Sequence, residues 1–345
     1  MWQQTLHFRP LRRNMEKLMK TILLAAGGAF LATIAAAQTP VLNVLTYDSF
    51  ATEWGPGPAI EAGFEATCAC DLQFQTAGDG AALLARLQLE GGATTADVVV
   101  GLDTNLAEAA RQTGLFAPVS LAETNLPMAF SNANFVPFDW GWFAFVYDKK
   151  QLTNPPKSLA ELADSDVKII IQDPRSSTPG LGLVLWVKAA YGDQAAALWE
   201  KLSDNIITVT PGWSEAYGMF LEGQADMVLS YTTSPAYHLI AENDDSKAAA
   251  PFEEGHFMQI ELAGRLTGSD QPALADQFLT YLLGDAAQSA LITTNWMYPA
   301  RTPAAGLPKG FETLITPAKS LTIPADQVES IRQAAVDEWQ AALAK

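Results

Sequence analysis

The chain has 345 residues and a formal net charge of −17, because 38 aspartate and glutamate residues outnumber 21 lysine and arginine residues. Such an acidic chain lacks the basic surface that phosphate backbones and anionic lipids require, so nucleic acid is excluded as a partner. With 49% hydrophobic residues, a chain of this length exceeds what one hydrophobic core usually supports, and two lobes are expected.

The N-terminal segment has the pattern of an export signal. Four basic residues between positions 12 and 20 precede an apolar run at residues 21–37, which ends in three alanines. This order is typical of a secretory signal peptide, here residues 1–37. Met15 and Met19 are candidates for the translation start, which the sequence leaves open. The apolar run is too short and too rich in alanine and glycine for a stable membrane span, so we expect an exported, soluble protein cleaved near Ala37.

The remaining chain alternates short apolar runs with amphipathic segments, which predicts βαβ units and mostly parallel sheets. Strands are predicted at residues 41–46, 72–74, 97–101, 168–171, 206–210 and 227–230, with extended segments at 135–147 and 256–261. Helices are predicted at residues 58–65, 80–90, 106–113, 179–191, 272–283 and 326–343.

This order of elements predicts an α/β fold of two doubly wound lobes with a hinge and a ligand cleft between the lobes. The chain is expected to leave the first lobe near residue 138 and to return to it near residue 258. Lobe 1 then comprises residues 38–138 and 258–345, and lobe 2 comprises residues 139–257. In open α/β sheets ligands bind beyond the C-terminal ends of the strands, and clefts between domains favour small molecules.

Aromatic, acidic and hydroxyl side chains follow the predicted strands at these ends. The candidate binding residues are Tyr47, Trp54, Asp79, Gly80, Ser177, Thr178, Trp213, Tyr231, Thr232, Thr233, Ser234 and Trp296. Each has a structural interpretation as well, since Asp79, Ser177 and Thr178 are suited to capping helices. Large aromatic residues are suited to packing. Because the clusters recur at equivalent topological positions, binding is the better interpretation of the whole set.

The residue types predict a ligand that is small, flat, partly cationic and optionally phosphorylated. Hydroxyl and backbone N–H groups at a helix start, as at Ser177 and Thr178, hold an anion such as phosphate. Aromatic faces hold a planar or cationic ring, and a cation over tryptophan or tyrosine gains about 0.5–2 kcal/mol. A carboxylate such as Asp79 neutralises positive charge or accepts a hydrogen bond from an amine.

Cys68 and Cys70 are the only cysteines and stand two positions apart. In an extended segment this spacing puts the Cα atoms roughly 7 Å apart, at the limit of what a disulfide tolerates. An oxidising compartment permits a bridge, and the spacing alone leaves the redox state open. A metal site would need further ligands, which the neighbouring sequence lacks.

A series of segments resembles the periplasmic thiamine-binding proteins of bacterial thiamine ABC transporters. They are residues 47–58, 96–106, 173–183, 212–218, 229–238 and 295–299, and the similarity runs from about residue 41 to the C-terminus. The resemblance implies a type II periplasmic-binding fold, a periplasmic location and no enzymatic activity. It implies thiamine, thiamine monophosphate or thiamine diphosphate as the ligand, no cofactor or metal, and delivery to an inner-membrane permease with its cytoplasmic ATPase.

Carried over by motif, the resemblance assigns ligand contacts to particular residues. These are Asp79, Gly80, Ser177, Thr178, Trp213, Tyr231, Thr232, Thr233 and Ser234, with Tyr47, Trp54 and Trp296 as further aromatic residues of the cleft. Ser177 and Thr178 correspond to the phosphate side of the site. Trp140 and Trp142 depart from the pattern, in which tyrosines are expected.

Two other functions remain open. The first is a secreted thiaminase, which has a related fold and attacks thiamine with a cysteine thiolate. Cys68 and Cys70 lie away from the clusters at the strand ends, and no G-x-S-x-G, H-E-x-x-H or Walker pattern occurs. The second is a binding protein for a polyamine or iron. Iron needs converging tyrosine, histidine and carboxylate ligands, and a polyamine would not need the phosphate-holding hydroxyls.

Overall fold

The structure, a computed structural model, describes residues 39–120 and 123–344. The predicted signal peptide at residues 1–37 therefore lies outside the described residues. The strands are β1 (Val41–Thr46), β2 (Asp71–Thr76), β3 (Val98–Asp103), β4 (Val136–Asp148), β5 (Ile169–Gln172), β6 (Ile206–Thr210), β7 (Met227–Tyr231), β8 (Lys247–Ala249), β9 (His256–Arg265), β10 (Tyr298–Pro299) and β11 (Ser320–Leu321).

Helices connect and cover these strands. They are α1 (Gly57–Cys68), α2 (Gly80–Glu90), α3 (Ala107–Gln112), α4 (Leu159–Ala163), α5 (Thr178–Tyr191), α6 (Ala195–Leu202), α7 (Trp213–Leu221), α8 (Pro235–Ala241), α9 (Pro272–Leu282), α10 (Asp285–Thr294) and α11 (Ala325–Leu343). All predicted strands and helices are confirmed, with ends that shift by a few residues. Helices α4, α6, α7, α8 and α10 and strands β8, β10 and β11 were not predicted. Within residues 39–120 and 123–344, no helix has both the length and the apolar character needed to cross a membrane.

The strands hydrogen-bond in the order β2-β1-β3-β9-β4-β7-β5-β6. Toward one end, β1 pairs in parallel with β2 and β3, and toward the other, β5 pairs in parallel with β6 and β7. These pairs need crossover connections, which the helices supply. The long strands β4 and β9 run antiparallel to each other and to their outer neighbours β7 and β3. The predicted parallel pairing therefore holds for the outer strands, and the centre of the sheet is antiparallel.

Strand β4 belongs to both sides of this arrangement. Its residues from Val136 to Trp142 pair with β9, and those from Phe143 to Tyr147 pair with β7. We call β1–β3 with α1–α3 the first half and β5–β7 with α4–α8 the second half. The α/β fold class is confirmed. The predicted lobe boundaries fall inside β4 and β9, and the division into lobes stays a prediction.

The core consists of central strands and helices that are buried along most of their length. Every residue of β3 is buried, and in α5 the run from Thr178 to Val187 is buried on all faces. The C-terminal helix α11 packs against α5 and α6 and also touches α3. There, Lys188 Nζ lies 2.6 Å from Glu338 Oε1. Helix α11, which the prediction assigned to lobe 1, thus contacts helices of both halves.

The two cysteines form a disulfide at the end of α1. The Cα atoms of Cys68 and Cys70 are 5.2 Å apart, closer than the estimate for an extended segment. The reason is that Ala69 between them has a φ of 51°, in the left-handed region, so the chain turns sharply here. The redox state that the sequence left open is therefore a bonded pair in this structure.

Candidate functional site

A cavity of about 320 Å³ lies between residues of the first and second halves. Its walls come from the loops after β1, from the starts of α2, α5 and α7, from the end of β7, from β9 and from the segment after α10. These are the strand ends at which the sequence predicted a site. The volume lies at the lower end of the range for small-molecule pockets.

Most of the predicted site residues meet in this cavity. Those that line it are Tyr47, Trp54, Asp79, Thr178, Trp213, Tyr231, Ser234 and Trp296. Gly80, Ser177, Thr232 and Thr233 are buried behind the lining. Thr233 Oγ1, for example, lies 3.7 Å from the sulfur of Met297, which itself lines the cavity. The contact of these four residues with a ligand stays a prediction.

Asp79 lies where three helices of the two halves begin. Its carboxylate accepts hydrogen bonds from Gly80 N at 2.9 Å and from Ser177 Oγ at 2.7 Å, and it also accepts from the backbone N–H groups of Thr178 and Trp213. Burial raises the pKa of Asp79, while these hydrogen bonds favour the ionised form. Asp79 therefore caps α2, as one interpretation of the sequence expected, and it also occupies the starts of α5 and α7.

Ser177 does not cap α5 with its side chain, contrary to the capping interpretation. It holds the N-cap position, yet no side-chain cap hydrogen bond forms, because its hydroxyl donates to Asp79 instead. The predicted anion-binding donors at Ser177 and Thr178 thus serve a carboxylate of the protein itself. This shows that the helix start attracts negative charge.

Two glycines permit close approaches around the cavity. A Cβ on Gly80 would overlap Thr178 Oγ1, so glycine lets the start of α2 lie against the start of α5. Gly101 has a φ of +107°, and a Cβ there would overlap the ring of Tyr47. A glycine meets both requirements at no steric cost. Gly80 therefore permits close packing between the halves, and its predicted contact with the ligand stays a prediction.

Five aromatic residues, which we call the aromatic wall, line the cavity: Trp54, Trp213, Tyr217, Tyr237 and Trp296. Trp213 stacks on Tyr217 with ring centroids 5.0 Å apart, and Trp54 from the first half lies 6.4 Å from Trp213. Tyr237 meets Trp296 edge-on at 5.6 Å. The indole of Trp213 is oriented by a 2.7 Å hydrogen bond from Nε1 to Ser230 Oγ. These faces suit a planar or cationic ring.

Trp296 occupies an unusual backbone position. It follows the C-cap of α10 with a φ of 56°, and its N–H donates to Leu291 O at 3.1 Å. Glycine is the usual residue at this left-handed position, and another residue there costs about 1–2 kcal/mol. The strain indicates that tryptophan is retained here for its side chain, which lines the cavity.

Tyr47, Asp139, Glu261 and Asn295 form a second group, which we call the acidic cluster. Asp139 in β4 and Glu261 in β9 are partners across the antiparallel pair. Tyr47 Oη donates to Glu261 Oε2 at 3.0 Å, and Asn295 Nδ2 donates to Asp139 Oδ2 at 2.7 Å. Glu261, Tyr47 and Asn295 line the cavity, and Asp139 is fully buried behind them. Glu261 therefore places a carboxyl group in the cavity wall, with the carboxyl group of Asp139 behind it.

Burial raises the pKa values of the carboxyl groups in the acidic cluster. It raises the pKa of Asp139 to about 8, and it raises the pKa of Glu261 with a further contribution from the charge of Asp139. The pKa of Asp103, next to them, is raised to about 6, again mainly by burial. In the part of the chain that the structure describes, no lysine, arginine or histidine forms a salt bridge with these acids or with Asp79. The cavity is thus suited to a positively charged group.

Sequence reasoning missed several residues of the site. Tyr217 and Tyr237 lie on α7 and α8, which were not predicted because they are short and directly follow segments that were interpreted as loops at strand ends. Asp139 and Glu261 were passed over because each lies inside a predicted extended segment. The sequence did contain an indication of these residues, namely an acidic residue within an otherwise apolar predicted strand. Acidic residues are rarely fully buried, and those that are buried often belong to functional sites.

Comparison with known proteins places the chain in a family. A family model of bacterial extracellular solute-binding proteins matches residues 51–289. A thiamine-binding periplasmic protein of Salmonella typhimurium is 52% identical over 335 residues, which are 96% of this chain and 100% of the relative. Another of the same description from Brucella abortus is 50% identical over 308 residues, covering 88% of this chain and 92% of the relative.

Solved structures agree with this placement. A periplasmic thiamin binding protein superposes with a TM-score of 0.87 at 52% identity, covering 90% of this chain and 98% of that one. Iron-bound HitA from Pseudomonas aeruginosa has a TM-score of 0.73 at 19% identity, covering 88% and 99%, and shows the fold alone. The predicted periplasmic-binding fold is confirmed. The chain belongs to the family of bacterial extracellular solute-binding proteins.

Proposed function

We propose that this protein captures thiamine outside the cytoplasm and delivers it to a membrane transporter. The observation that carries the proposal is the combination, in one cavity, of an aromatic wall with buried carboxyl groups that have no basic partner within residues 39–120 and 123–344. Thiamine joins a permanently cationic thiazolium ring to a flat aminopyrimidine. The relatives at about half identity, which are named as thiamine-binding proteins, support the same ligand.

The two groups of residues suit the two properties of this ligand. Trp213 and Trp54 approach the cavity from different halves, and each presents an aromatic surface that a flat ring can contact. Each cation–aromatic contact contributes about 0.5–2 kcal/mol. Glu261 and Asp79 add negative charge in a site shielded from water, where charge attraction is stronger than at a surface.

We extend the proposal to thiamine monophosphate and diphosphate. Its support is the start of α5, where the hydroxyl of Ser177 and the N–H of Thr178 already hold a carboxylate. A bound phosphate would use these donors in place of Asp79. The sequence motif at residues 173–183 resembles the phosphate side of the family's site, which is consistent with this arrangement.

The transport partners also belong to the proposal. We expect the ligand-bound protein to dock on an inner-membrane permease that works with a cytoplasmic ATPase. The relatives are solute-binding proteins rather than enzymes, and we propose that thiamine leaves the cavity chemically unchanged and that no cofactor takes part. The names of the relatives support a periplasmic location.

Calorimetric titration with thiamine, thiamine diphosphate, spermidine and ferric citrate tests the proposal. Thiamine is expected to bind with one site per chain and far more tightly than spermidine or ferric citrate. Tighter binding of either of the latter would replace the proposal with a polyamine or iron function. Incubating the protein with thiamine and a nucleophile is expected to release no pyrimidine product, and a product detected by mass spectrometry would indicate an enzyme.

A further inference from the structure

Asp139 and Glu261 are held against each other by the register of the central strands. They are direct partners in the antiparallel pair of β4 and β9, at a place where the register shifts between Pro137 and Asp139. Side chains of such partners leave the same face of the sheet, with Cβ atoms about 4.5–5.5 Å apart. The fold therefore fixes two carboxyl groups close together, away from water.

The hydrogen bonds around the pair leave one oxygen without a donor. Tyr47 donates to Glu261 Oε2 and Asn295 donates to Asp139 Oδ2. Asp139 Oδ1 is buried and has no hydrogen-bond partner among the residues that the structure describes. If both carboxyl groups were ionised, all four of their oxygens could only accept hydrogen bonds, and Asp139 Oδ1 would have no donor. A proton on one of the two carboxyl groups supplies the missing donor, because a protonated carboxyl group donates one hydrogen bond.

The titratable groups that face the pair are acids or phenols. They are Tyr47 at the end of β1, Asp79 before α2, Asp103 in β3 and Tyr231 in β7, and the charges of Asp79 and Asp103 disfavour ionisation of Glu261. Burial raises the pKa of Asp139 to about 8. Two adjacent buried carboxyl groups do not both ionise without a compensating charge.

We infer that Asp139 and Glu261 share one proton in the ligand-free protein, and that a cationic ligand entering the cavity displaces it. In this step one carboxyl O–H bond breaks, the proton passes to the solvent, and the pair gains the negative charge that the ligand's positive charge balances. Glu261 is the member that lines the cavity, so it is the residue that selects for charge. The inference rests on the proposed binding of a cation in this cavity.

Proton release can be counted by titrating the purified protein with thiamine in two buffers of different ionisation enthalpy at one pH. Between pH 6 and pH 7 we expect nearly one proton released per thiamine bound, falling toward zero above the pKa of about 8. The dissociation constant should correspondingly tighten as the pH rises, by up to about tenfold per pH unit, and then level off.

Glu261→Gln keeps the size of the side chain and removes its titration. We expect it to bind thiamine more weakly, to release fewer protons than the unmodified protein and to show a shallower pH profile. Glu254→Gln is the matched control, because Glu254 is a partly buried carboxyl group with a raised pKa that does not line the cavity. It should release protons like the unmodified protein, and the thermal unfolding of both variants reports their folding.

The outcomes separate this inference from the proposed function. No binding of thiamine at any pH overturns the function. Binding without proton release in the unmodified protein, a result that needs no variant, overturns the inference alone. Proton release that persists unchanged in Glu261→Gln overturns it too, because the ligand or another group would then be the source.

Discussion

The acidic cluster and the aromatic wall line the same cavity but are built differently. Asp139 and Glu261 lie within the long central strands and are almost entirely buried, with an exposed fraction of 7% for Glu261. The aromatic residues lie on helix starts and loops, and Trp54 at the rim is 54% exposed. Every carboxyl group of the cluster accepts a hydrogen bond from another residue, whereas the wall is held mainly by ring contacts.

This difference separates the recognition of charge from the recognition of shape. The carboxyl groups that attract a cation lie on the sheet, where strand pairing fixes their positions. Their burial strengthens their electrostatic attraction for a cation. Shape is provided by side chains on helices and loops, and loops and helix ends generally adjust more readily than central strands. Perturbing the cluster should therefore change pH dependence and stability, while perturbing the wall should change affinity alone.

The largest expected effect concerns the stability of the ligand-free protein. The pKa of Asp139 is about 8 in the folded state against an ordinary value of 3.8, so the folded protein binds more protons than the unfolded chain between these values. The free energy of unfolding should therefore fall as the pH rises from 4 to 8, by up to about 1.4 kcal/mol per pH unit for one proton. Urea unfolding at several pH values measures this slope.

Asp139→Asn should reduce that slope, because the amide still accepts the hydrogen bond from Asn295 but does not titrate, while Glu261 still contributes a raised pKa. Asp164→Asn, at an exposed salt bridge with Lys201, is the control and should leave the slope as it is. Equal slopes in all three proteins would show that the acidic cluster is not protonated in the ligand-free state.

The next effect concerns the aromatic wall. Trp213→Ala should weaken thiamine binding by more than about tenfold, because it removes a cation–aromatic contact and the stack on Tyr217. Trp54→Ala should cost only about two- to threefold, since its ring is more than half exposed. Calorimetry measures both, and the pH profile of binding should stay that of the unmodified protein. An unchanged affinity in Trp213→Ala would place the ligand elsewhere.

The smallest effect concerns the start of α5. Ser177→Ala removes a hydroxyl that donates to Asp79, and we expect the affinity for thiamine diphosphate to fall a few-fold while that for free thiamine changes less. Ser176→Ala is the matched control, because the hydroxyl of Ser176 donates to Pro211 O instead. Equal losses for the two ligands would place the phosphate away from this helix start.

Local signals predicted the elements and the strand-end residues well. The helix at residues 80–90 was predicted with its observed ends, because Asp79 caps one end and a glycine at position 91 ends the other. The strand at residues 41–46 also matches. The rule that ligands bind beyond strand ends, applied to these elements, predicted one site for Asp79, Trp213 and Tyr231, and all three line the same cavity.

The acidic cluster could not be predicted in the same way. Asp139 and Glu261 are more than a hundred residues apart, and only the register between β4 and β9 makes them partners. A shift of that register by one residue would turn one side chain to the other face, and no local pattern specifies it. The hydroxyl of Ser177 likewise donates a hydrogen bond to Asp79, 98 positions away, and does not cap its own helix.

The sharing of β4 and β9 between the two halves has a consequence for dissecting the molecule. Residues 138 and 258, where the chain was predicted to change lobes, lie within continuous hydrogen-bonded strands. Cutting the chain at either point would leave each fragment with an unpaired strand edge and an open core, which favours aggregation. We therefore expect neither half to fold as a separate fragment, and residues 39–344 to melt in one cooperative transition.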